Sequence, residues 1–180
     1  MTTSSSAADK IRAAIRDIPD YPKPGIVFKD ITTVLQRGDL LQQAIDLMAA
    51  PYVSGLSRPD IVLGVEARGF IFAGAVAARL GAGFVPVRKA GKLPWKTRKV
   101  SYALEYGEDT LEIHMDAIPE KAKILIVDDL LATGGTVGAV VQLIEATGAK
   151  LLGASFLIEL EFLKGRNKLS PLSIHSVIRF

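Results

Sequence analysis

Cysteine is absent from this sequence of 180 residues, and histidine occurs only as His114 and His175. These shortages exclude disulfide bonds, a catalytic thiol, cysteine–zinc sites and a histidine-rich metal centre. The chain also lacks an apolar run long enough to span a bilayer. Its first residues, MTTSSSAADK, have neither the apolar core nor the basic cluster of a secretory signal. We therefore expect a cytoplasmic protein without a membrane partner.

The sequence also lacks a large excess of either charge, since its net charge is only +3. This small excess weakly favours anionic small molecules and is no argument for a nucleic-acid partner. Apolar residues make up 49% of the chain and charged residues 23%, which is typical of a folded globular protein. We expect a single domain over residues 1–180, with a disordered tail at residues 1–7.

The most informative stretch is ILIVDDLLATGGT, which runs from Ile124 to Thr136. Its uninterrupted apolar start predicts a strand that is covered on both faces and ends at Val127. Two adjacent carboxylates, Asp128 and Asp129, follow that strand. Small residues come next, and the helical spacing after them predicts a helix that stops near Gly148. The order is therefore strand, acidic pair, glycine-rich turn and helix.

This order predicts a site for an anion. In open α/β sheets, ligands bind beyond the carboxyl ends of the strands, where a helix N-terminus offers unpaired N–H groups. Gly134 and Gly135 allow the backbone to approach an anion closely, and Thr133 and Thr136 can donate hydroxyl hydrogen bonds. We expect a phosphate group at this turn.

The acidic pair indicates that the ligand is more than a phosphate, because carboxylates repel phosphate. A ribose 5-phosphate would explain them, since its hydroxyls are donors and its C1′ becomes cationic when the substituent leaves. An alternative remains open at this point: Asp128 and Asp129 could simply end a buried strand and cap the next helix.

The rest of the chain alternates between strand and helix patterns. We expect helices over residues 8–18, 40–49 and 69–80, strands over 61–65, 84–87, 150–157 and 173–178, and a projecting hairpin formed by 100–105 and 110–114. Ile158 to Leu160 should lead into a short turn or helix that ends near Lys168. Such alternation is typical of a parallel, doubly wound α/β sheet.

Basic residues follow two of the predicted strands. Arg68 comes after the strand at 61–65, and its guanidinium could bind a diphosphate through two parallel hydrogen bonds. Arg88, Lys89 and Lys92 follow the strand at 84–87 and suit a polyanionic leaving group. The alternatives are an arginine at the sheet edge and an ordinary solvated basic loop.

The segment DYPKPGIVFKD, within residues 19–35, has an unusual composition. Pro22 and Pro24 stiffen the backbone, and Gly25 permits a turn. The segment could serve only for packing, or it could be a lid over a flat ligand on which Phe28 stacks.

The stretch from Ile124 to Thr136 resembles the phosphoribosyl pyrophosphate signature of the type I phosphoribosyltransferases. Further segments are similar to the adenine-specific members of that family over nearly the whole chain. They are PDYPKPGIVFKDI at 19–31, GVEARGF at 64–70, VRKAGKLP at 87–94, SYALEYG at 101–107 and LKGRNKL at 163–169. The implied fold is a twisted, mostly parallel sheet flanked by helices, with an N-terminal hood at 19–35 and a flexible loop and hairpin at about 93–115.

The resemblance implies a role for each matching residue. The ribose and the 5′-phosphate would be bound by Asp128, Asp129, Ala132, Thr133, Gly134, Gly135 and Thr136. Pyrophosphate would be bound by Arg68, Arg88 and Lys92. Adenine would lie under Ile26, Val27 and Phe28, with Leu160 on its other side. The catalytic residues would be Glu105, Asp128 and Asp129, and Tyr106 would take part in loop gating. About Trp95 to Lys99 the resemblance says little.

The activity that the resemblance implies is purine salvage, in which adenine and phosphoribosyl pyrophosphate give AMP and pyrophosphate. It also implies a homodimer and Mg²⁺, the ion being held mainly by substrate and water with no direct protein ligand. Two alternatives remain open: a non-catalytic sensor of phosphoribosyl pyrophosphate and a transferase for xanthine, guanine or orotate.

Overall fold

The computed structural model describes residues 5–103 and 108–180. The chain forms two compact units, Met1–Leu47 and Met48–Phe180, and each is described by itself. The expectation that they make up one domain stays a prediction.

The first unit begins with α1 (Ala7–Ala14). The Ser6 hydroxyl accepts the N–H of Asp9 at 3.1 Å, and the Asp9 carboxylate accepts the N–H of Ser6 at 3.1 Å. This reciprocal cap stabilises the helix start. Ser6 and Ala7 therefore belong to a capped helix and not to the expected disordered tail.

The predicted continuation of this helix to Ile18 is wrong. Arg16–Ile18 form β1, which pairs antiparallel with β2 (Phe28–Asp30). The pairing is reinforced by an ion pair of 2.7 Å between Arg16 and Asp30. A partner strand further along the chain thus overrides the local helical spacing.

Two further helices follow in the chain, α2 (Thr32–Leu35) and α3 (Gly38–Ala49). The second of these confirms the helix predicted over 40–49 and begins two residues earlier. Buried apolar side chains hold the first unit together, among them Ile11, Ile31, Val34, Leu40 and Ala44.

The second unit is built on a seven-stranded sheet. Its strands are β3 (Ile61–Val65), β4 (Gly83–Lys89), β5 (Thr97–Ala103), β6 (Glu108–His114), β7 (Lys123–Leu131), β8 (Lys150–Glu159) and β9 (Ile174–Arg179). The spatial order is β5-β6-β4-β3-β7-β8-β9. The five neighbouring strands β4, β3, β7, β8 and β9 are parallel to one another. Strand β6 runs antiparallel to both of its neighbours, β4 and β5. The mostly parallel α/β fold is therefore confirmed.

The helices of the second unit are α4 (Gly69–Leu80), α5 (Gly135–Glu145) and the short α6 (Gly165–Lys168). The first of these has the predicted bounds. The second ends three residues before Gly148. Short 3-10 turns lie at Ala50–Tyr52, Gly55–Ser57 and Glu161–Leu163. Within residues 5–103 and 108–180, helices that combine the length and the apolarity needed to cross a bilayer do not occur.

Strand β7 is longer than predicted, because it runs on to Leu131 instead of ending at Val127. Leu130 and Leu131 pair with Ile158 and Glu159 of the equally extended β8. Pairing between the two strands therefore prolongs both of them. As a result, the acidic pair lies within β7, near its carboxyl end, and not after the strand.

The predicted hairpin is confirmed as β5 and β6, but it does not project from the core. Residues Arg88 and Lys89 of β4 pair with Glu112 and Leu111 of β6, which makes the hairpin part of the sheet. Leu111 and Ile113 are buried. Pairing with β4 satisfies backbone groups that a projecting hairpin would leave to water.

Candidate active site

The carboxyl ends of β3 and β7 enclose a cavity of about 390 Å³. Its lining includes the predicted Arg68, Asp128, Asp129 and Thr136, together with Val65, Glu66, Ala67 and Leu130. The parallel strands place these residues together because their carboxyl ends meet at one edge of the sheet.

The acidic pair is held by neighbours in this cavity. The Asp128 carboxylate accepts the N–H of Asp129 at 2.9 Å, and Arg68 Nε lies 2.9 Å from Asp129 Oδ2. Burial raises the pKa of Asp128 well above its ordinary value, and the charge of Asp129 raises it further. Burial also raises the pKa of Asp129, against the opposing effect of Arg68. Negative charge is therefore costly here unless a positive charge lies nearby.

The turn from Ala132 to Thr136 lies directly before α5. Gly134 has φ = 82°, in the left-handed region that glycine adopts without strain. A small cavity of about 80 Å³ follows the turn and is lined by Asp128 and residues 130–137. Both cavities share Asp128, Leu130 and Thr136. The predicted anion site at residues 132–136 and the acidic pair are therefore adjacent, as one ligand with a phosphate and a sugar would require.

The backbone at Gly165 packs closely against this turn. A Cβ atom at Gly165 would overlap the carbonyl oxygen of Ala132, and one at Gly134 would lie 2.8 Å from the carbonyl oxygen of Gly165. Only glycine permits the two segments to approach so closely. The turn is thus shaped partly by residue 165, far along the chain.

Arg166 fixes this supporting segment. Its Nε and Nη2 donate to the two carboxylate oxygens of Glu159 at 3.0 Å and 2.6 Å, and Nη1 donates to the carbonyl of Ile174 at 2.9 Å. Ser176 also donates to Glu159 at 2.6 Å. Arg166 lowers the pKa of the buried Glu159, so the ion pair persists at neutral pH.

Two of the three predicted pyrophosphate cations, Arg88 and Lys92, converge on Glu66. Arg88 Nη2 and Lys92 Nζ lie 3.2 Å and 2.5 Å from Glu66 Oε1, and the Lys89 N–H donates to Oε2 at 3.2 Å. Arg88 and Lys92 lower the pKa of Glu66 to about 2. The Lys89 side chain instead pairs with Asp109 at 3.1 Å. Glu66 therefore orients two cations beside the cavity.

Two further residues lie near the predicted phosphate turn, residues 132–136. The hydroxyl of Tyr102, on β5, lies 3.5 Å from that of Thr136. The Leu160 N–H donates to the carbonyl of Leu131 at 2.9 Å, which places Leu160 beside the end of β7. The hairpin and the segment after β8 thus both meet the turn.

Comparisons with known proteins show the family of this chain. The phosphoribosyl transferase domain family matches residues 31–171. An adenine phosphoribosyltransferase of Symbiobacterium thermophilum is 54% identical over 94% of this chain and 98% of its own length. The chain belongs to the adenine phosphoribosyltransferases.

Solved structures of the family have the same fold. The Thermoanaerobacter pseudethanolicus adenine phosphoribosyltransferase has a TM-score of 0.91 and 50% identity, over 96% of this chain and 99% of its own. The Saccharomyces cerevisiae adenine phosphoribosyltransferase, complexed with an imino-altritol bisphosphate and adenine, has a TM-score of 0.89 and 39% identity. That match covers 95% of this chain and 98% of its own.

The second unit of this adenine phosphoribosyltransferase family member brings most of the predicted site residues to one edge of its sheet. The residues concerned are Arg68, Arg88, Lys92, Asp128, Asp129, Ala132, Thr133, Gly134, Gly135, Thr136 and Leu160. Ile26, Val27 and Phe28 belong to the first unit, and their predicted place over adenine stays a prediction. Glu105 and Tyr106 lie outside the described residues.

Sequence reasoning assigned no role to Glu66, Gly165 or Tyr102. Glu66 was visible as the acidic residue before Ala67 and Arg68, but its pairing with β4 cations depends on the sheet order. Gly165 lies in the segment LKGRNKL, where nothing local reveals its contact with Ala132. Tyr102 lies in the segment SYALEYG, which offered only a resemblance as a signal.

The donor set of this edge fits a magnesium ion held only in part by protein. Among residues 5–103 and 108–180, histidine, aspartate and glutamate side chains do not form a group of three or more able to hold a metal. Mg²⁺ usually keeps several waters and takes its remaining ligands from one or two carboxylates and substrate phosphates. Asp128 and Asp129 line a cavity with room for such an arrangement.

Proposed function

We propose that the protein transfers the 5-phosphoribosyl group of phosphoribosyl pyrophosphate to adenine, giving AMP and pyrophosphate in purine salvage. The observation that carries this proposal is the acidic pair, which lines the larger cavity and of which Asp128 also lines the small cavity at residues 132–136. The naming of the relatives as adenine phosphoribosyltransferases supports adenine as the base.

Each part of the substrate has a matching group. The backbone of residues 132–136 and the N-terminus of α5 bind the 5′-phosphate. Asp128 and Asp129 accept hydrogen bonds from the ribose hydroxyls. Arg68, Arg88 and Lys92 bind pyrophosphate, and their positions around the cavity and Glu66 support this assignment.

The chemistry follows from the charges. Cleavage of the bond between C1′ and pyrophosphate leads, and purine N9 attacks from the opposite face. The ribose becomes cationic, and the Asp128 and Asp129 carboxylates stabilise that cation most strongly in the transition state. Burial makes the charge of both carboxylates costly despite the ion pair of Arg68 with Asp129, so the developing cation adds a further positive partner. Glu105 acts on the purine proton, from a loop that excludes water as it closes.

In the first unit, adenine binds against the hood, residues 19–35. The hood offers Ile26 and Val27 at 45% and 48% exposure, which supports an apolar contact with a flat base. The Phe28 ring lies edge-on to Tyr21, with ring centroids 5.3 Å apart, which supports a fixed ring orientation. The adenine bound by the yeast relative further supports a base site in this family.

Magnesium, dimerisation and location complete the proposal. A bound Mg²⁺ would be held mainly by substrate oxygens and water, and it would supply positive charge to the leaving pyrophosphate. The protein is a cytoplasmic homodimer. Exposed Ile71 and Phe84, at 43% and 38% exposure in the second unit, support an association surface.

The test is an assay with radiolabelled bases, phosphoribosyl pyrophosphate and Mg²⁺. We expect labelled AMP from adenine and at least 100-fold slower reactions with xanthine, guanine and orotate, because a site built around specific hydrogen bonds rejects the wrong base by about 10⁴–10⁵-fold at best. Failure to form any nucleotide, with phosphoribosyl pyrophosphate still bound, would identify a sensor. Faster reaction with another base would overturn the adenine assignment.

A further inference from the structure

Glu112, on β6, is a buried carboxylate that the proposed chemistry does not use. Glu112 is only 1% exposed. Because its strand neighbours Leu111 and Ile113 are buried in the core, the alternation of a strand would place Glu112 on the other face. Burying a carboxylate costs several kcal/mol unless hydrogen bonds compensate it. The placement therefore calls for an explanation from the groups that it contacts.

Among the described residues, the groups that bind the Glu112 carboxylate belong to one segment, residues 92–99. Its Oε1 accepts the N–H groups of Lys92 and Leu93 at 3.1 Å and 3.2 Å. Its Oε2 accepts the hydroxyl of Thr97 at 3.1 Å and lies 3.3 Å from Lys99 Nζ. Burial alone would raise the pKa of Glu112, but these donors together lower it, so the carboxylate is ionised at neutral pH.

The same segment is also bound by Arg88 of β4, the strand next to β6 in the sheet. Arg88 Nη1 donates to the carbonyl of Lys92 at 3.1 Å, and Arg88 is the register partner of Glu112. The Lys92 peptide groups are thus bound on both sides, N–H by Glu112 and C=O by Arg88. With its backbone fixed, the Lys92 ammonium is directed to Glu66 beside the larger cavity.

We propose that Glu112 is a positioning residue for pyrophosphate binding, which sets the location of Lys92 and Leu93. The inference rests on the proposed function, since it assumes that Lys92 binds pyrophosphate. Glu112 acts through the backbone of that segment and touches neither substrate nor the reacting atoms.

The test compares ligands with and without a diphosphate. Glu112→Gln keeps the size of the side chain but replaces one acceptor oxygen by an NH₂ group, which cannot accept from the donors of the segment. We expect the Kd of pyrophosphate and the KM of phosphoribosyl pyrophosphate to rise on the order of 10-fold to 100-fold. The Kd of AMP, measured by calorimetry, should stay within about 2-fold of the wild type. Equal weakening of AMP and pyrophosphate, or no weakening of either, would overturn the proposal.

Two further variants make the result decisive. Asp60→Asn is the matched control. Asp60 accepts the N–H of Lys123 at 2.7 Å at the amino ends of the strands, away from the site. This variant should leave the ratio of the two affinities unchanged. If Glu112→Gln does not fold, Thr97→Val removes a single donor and should still weaken pyrophosphate selectively; an unchanged ratio would then refute the role. Wild-type protein that makes no AMP would instead refute the proposed function itself.

Discussion

Replacing Gly165 by alanine tests whether the phosphate turn depends on its backbone neighbour. The added Cβ would overlap the carbonyl oxygen of Ala132 and lie 3.0 Å from the nitrogen of Gly134. Both obstacles are backbone atoms, which cannot turn aside as a flexible side chain does. Because a carbon–oxygen contact needs about 3.3 Å, the two segments must separate by on the order of 1 Å.

That displacement has a predictable size of effect. Overpacking of this kind costs about 1–3 kcal/mol, which corresponds to a fall in Tm of roughly 2–12 °C for a chain of this size. A shift of about 1 Å at a binding group can lower kcat/KM about 10²-fold. We therefore expect Gly165→Ala to weaken ribose 5-phosphate and AMP by a factor on the order of 10². The effect on pyrophosphate should be smaller, because two of its three predicted cations, Arg88 and Lys92, are held by Glu66.

The matched control is Gly138→Ala, in α5 just beyond the turn. A Cβ there would lie 3.9 Å from the nearest side-chain atom, Leu169 Cδ2, which is ordinary contact. This variant should gain about 0.5–1 kcal/mol, because alanine is the better helix former. Calorimetry with ribose 5-phosphate and thermal unfolding measure both effects. If Gly165→Ala binds ribose 5-phosphate as the wild type does, the close approach of the two segments does not shape the turn.

Three further substitutions address the charged groups. Asp128→Asn should lower turnover on the order of 10²-fold or more, yet raise Tm at pH 7, because the raised pKa of Asp128 means that its ionisation opposes folding. This gain in Tm should vanish as the pH falls below about 4, where the carboxyl is protonated even in the unfolded chain, and a lower Tm at pH 7 would contradict the burial argument. Arg68→Ala should weaken pyrophosphate and phosphoribosyl pyrophosphate by about 1.5–3 kcal/mol and AMP by less; equal losses in calorimetry would indicate that Arg68 serves only to hold Asp129. Glu105→Gln should reduce kcat by on the order of 10²–10⁴, as measured by AMP formation, and a change confined to KM would rule out a role in proton transfer.

Local patterns in the sequence were sufficient for several elements of this protein. The apolar spacing and terminal glycine of α4 predicted its bounds, because helix periodicity and a left-handed stop at Gly81 are properties of neighbouring residues. The signature from Ile124 to Thr136 likewise indicated the strand, the turn and the helix of the predicted anion site. Its chemistry lies in contiguous residues, so that Asp128, Asp129 and the glycines could be assigned without knowledge of the sheet order.

Other features were decided by contacts between distant parts of the chain. Strand β1 forms where the end of a helix was predicted, because it pairs with β2. Strand β7 extends beyond its apolar segment, because β8 pairs with it there. The burial of Glu112 contradicts the alternating pattern of its strand, since a separate segment covers its outer face.

The physical reason is the range of the interactions. Periodicity, capping and turn preference act over a few residues and can be inferred from composition and spacing. Close approach and charge compensation join residues that only the folded sheet brings together, as Gly165 meets Ala132 and Arg88 meets Glu66. The sequence alone determined which chemical groups the site contains, and the tertiary structure decided which of them hold the others in place.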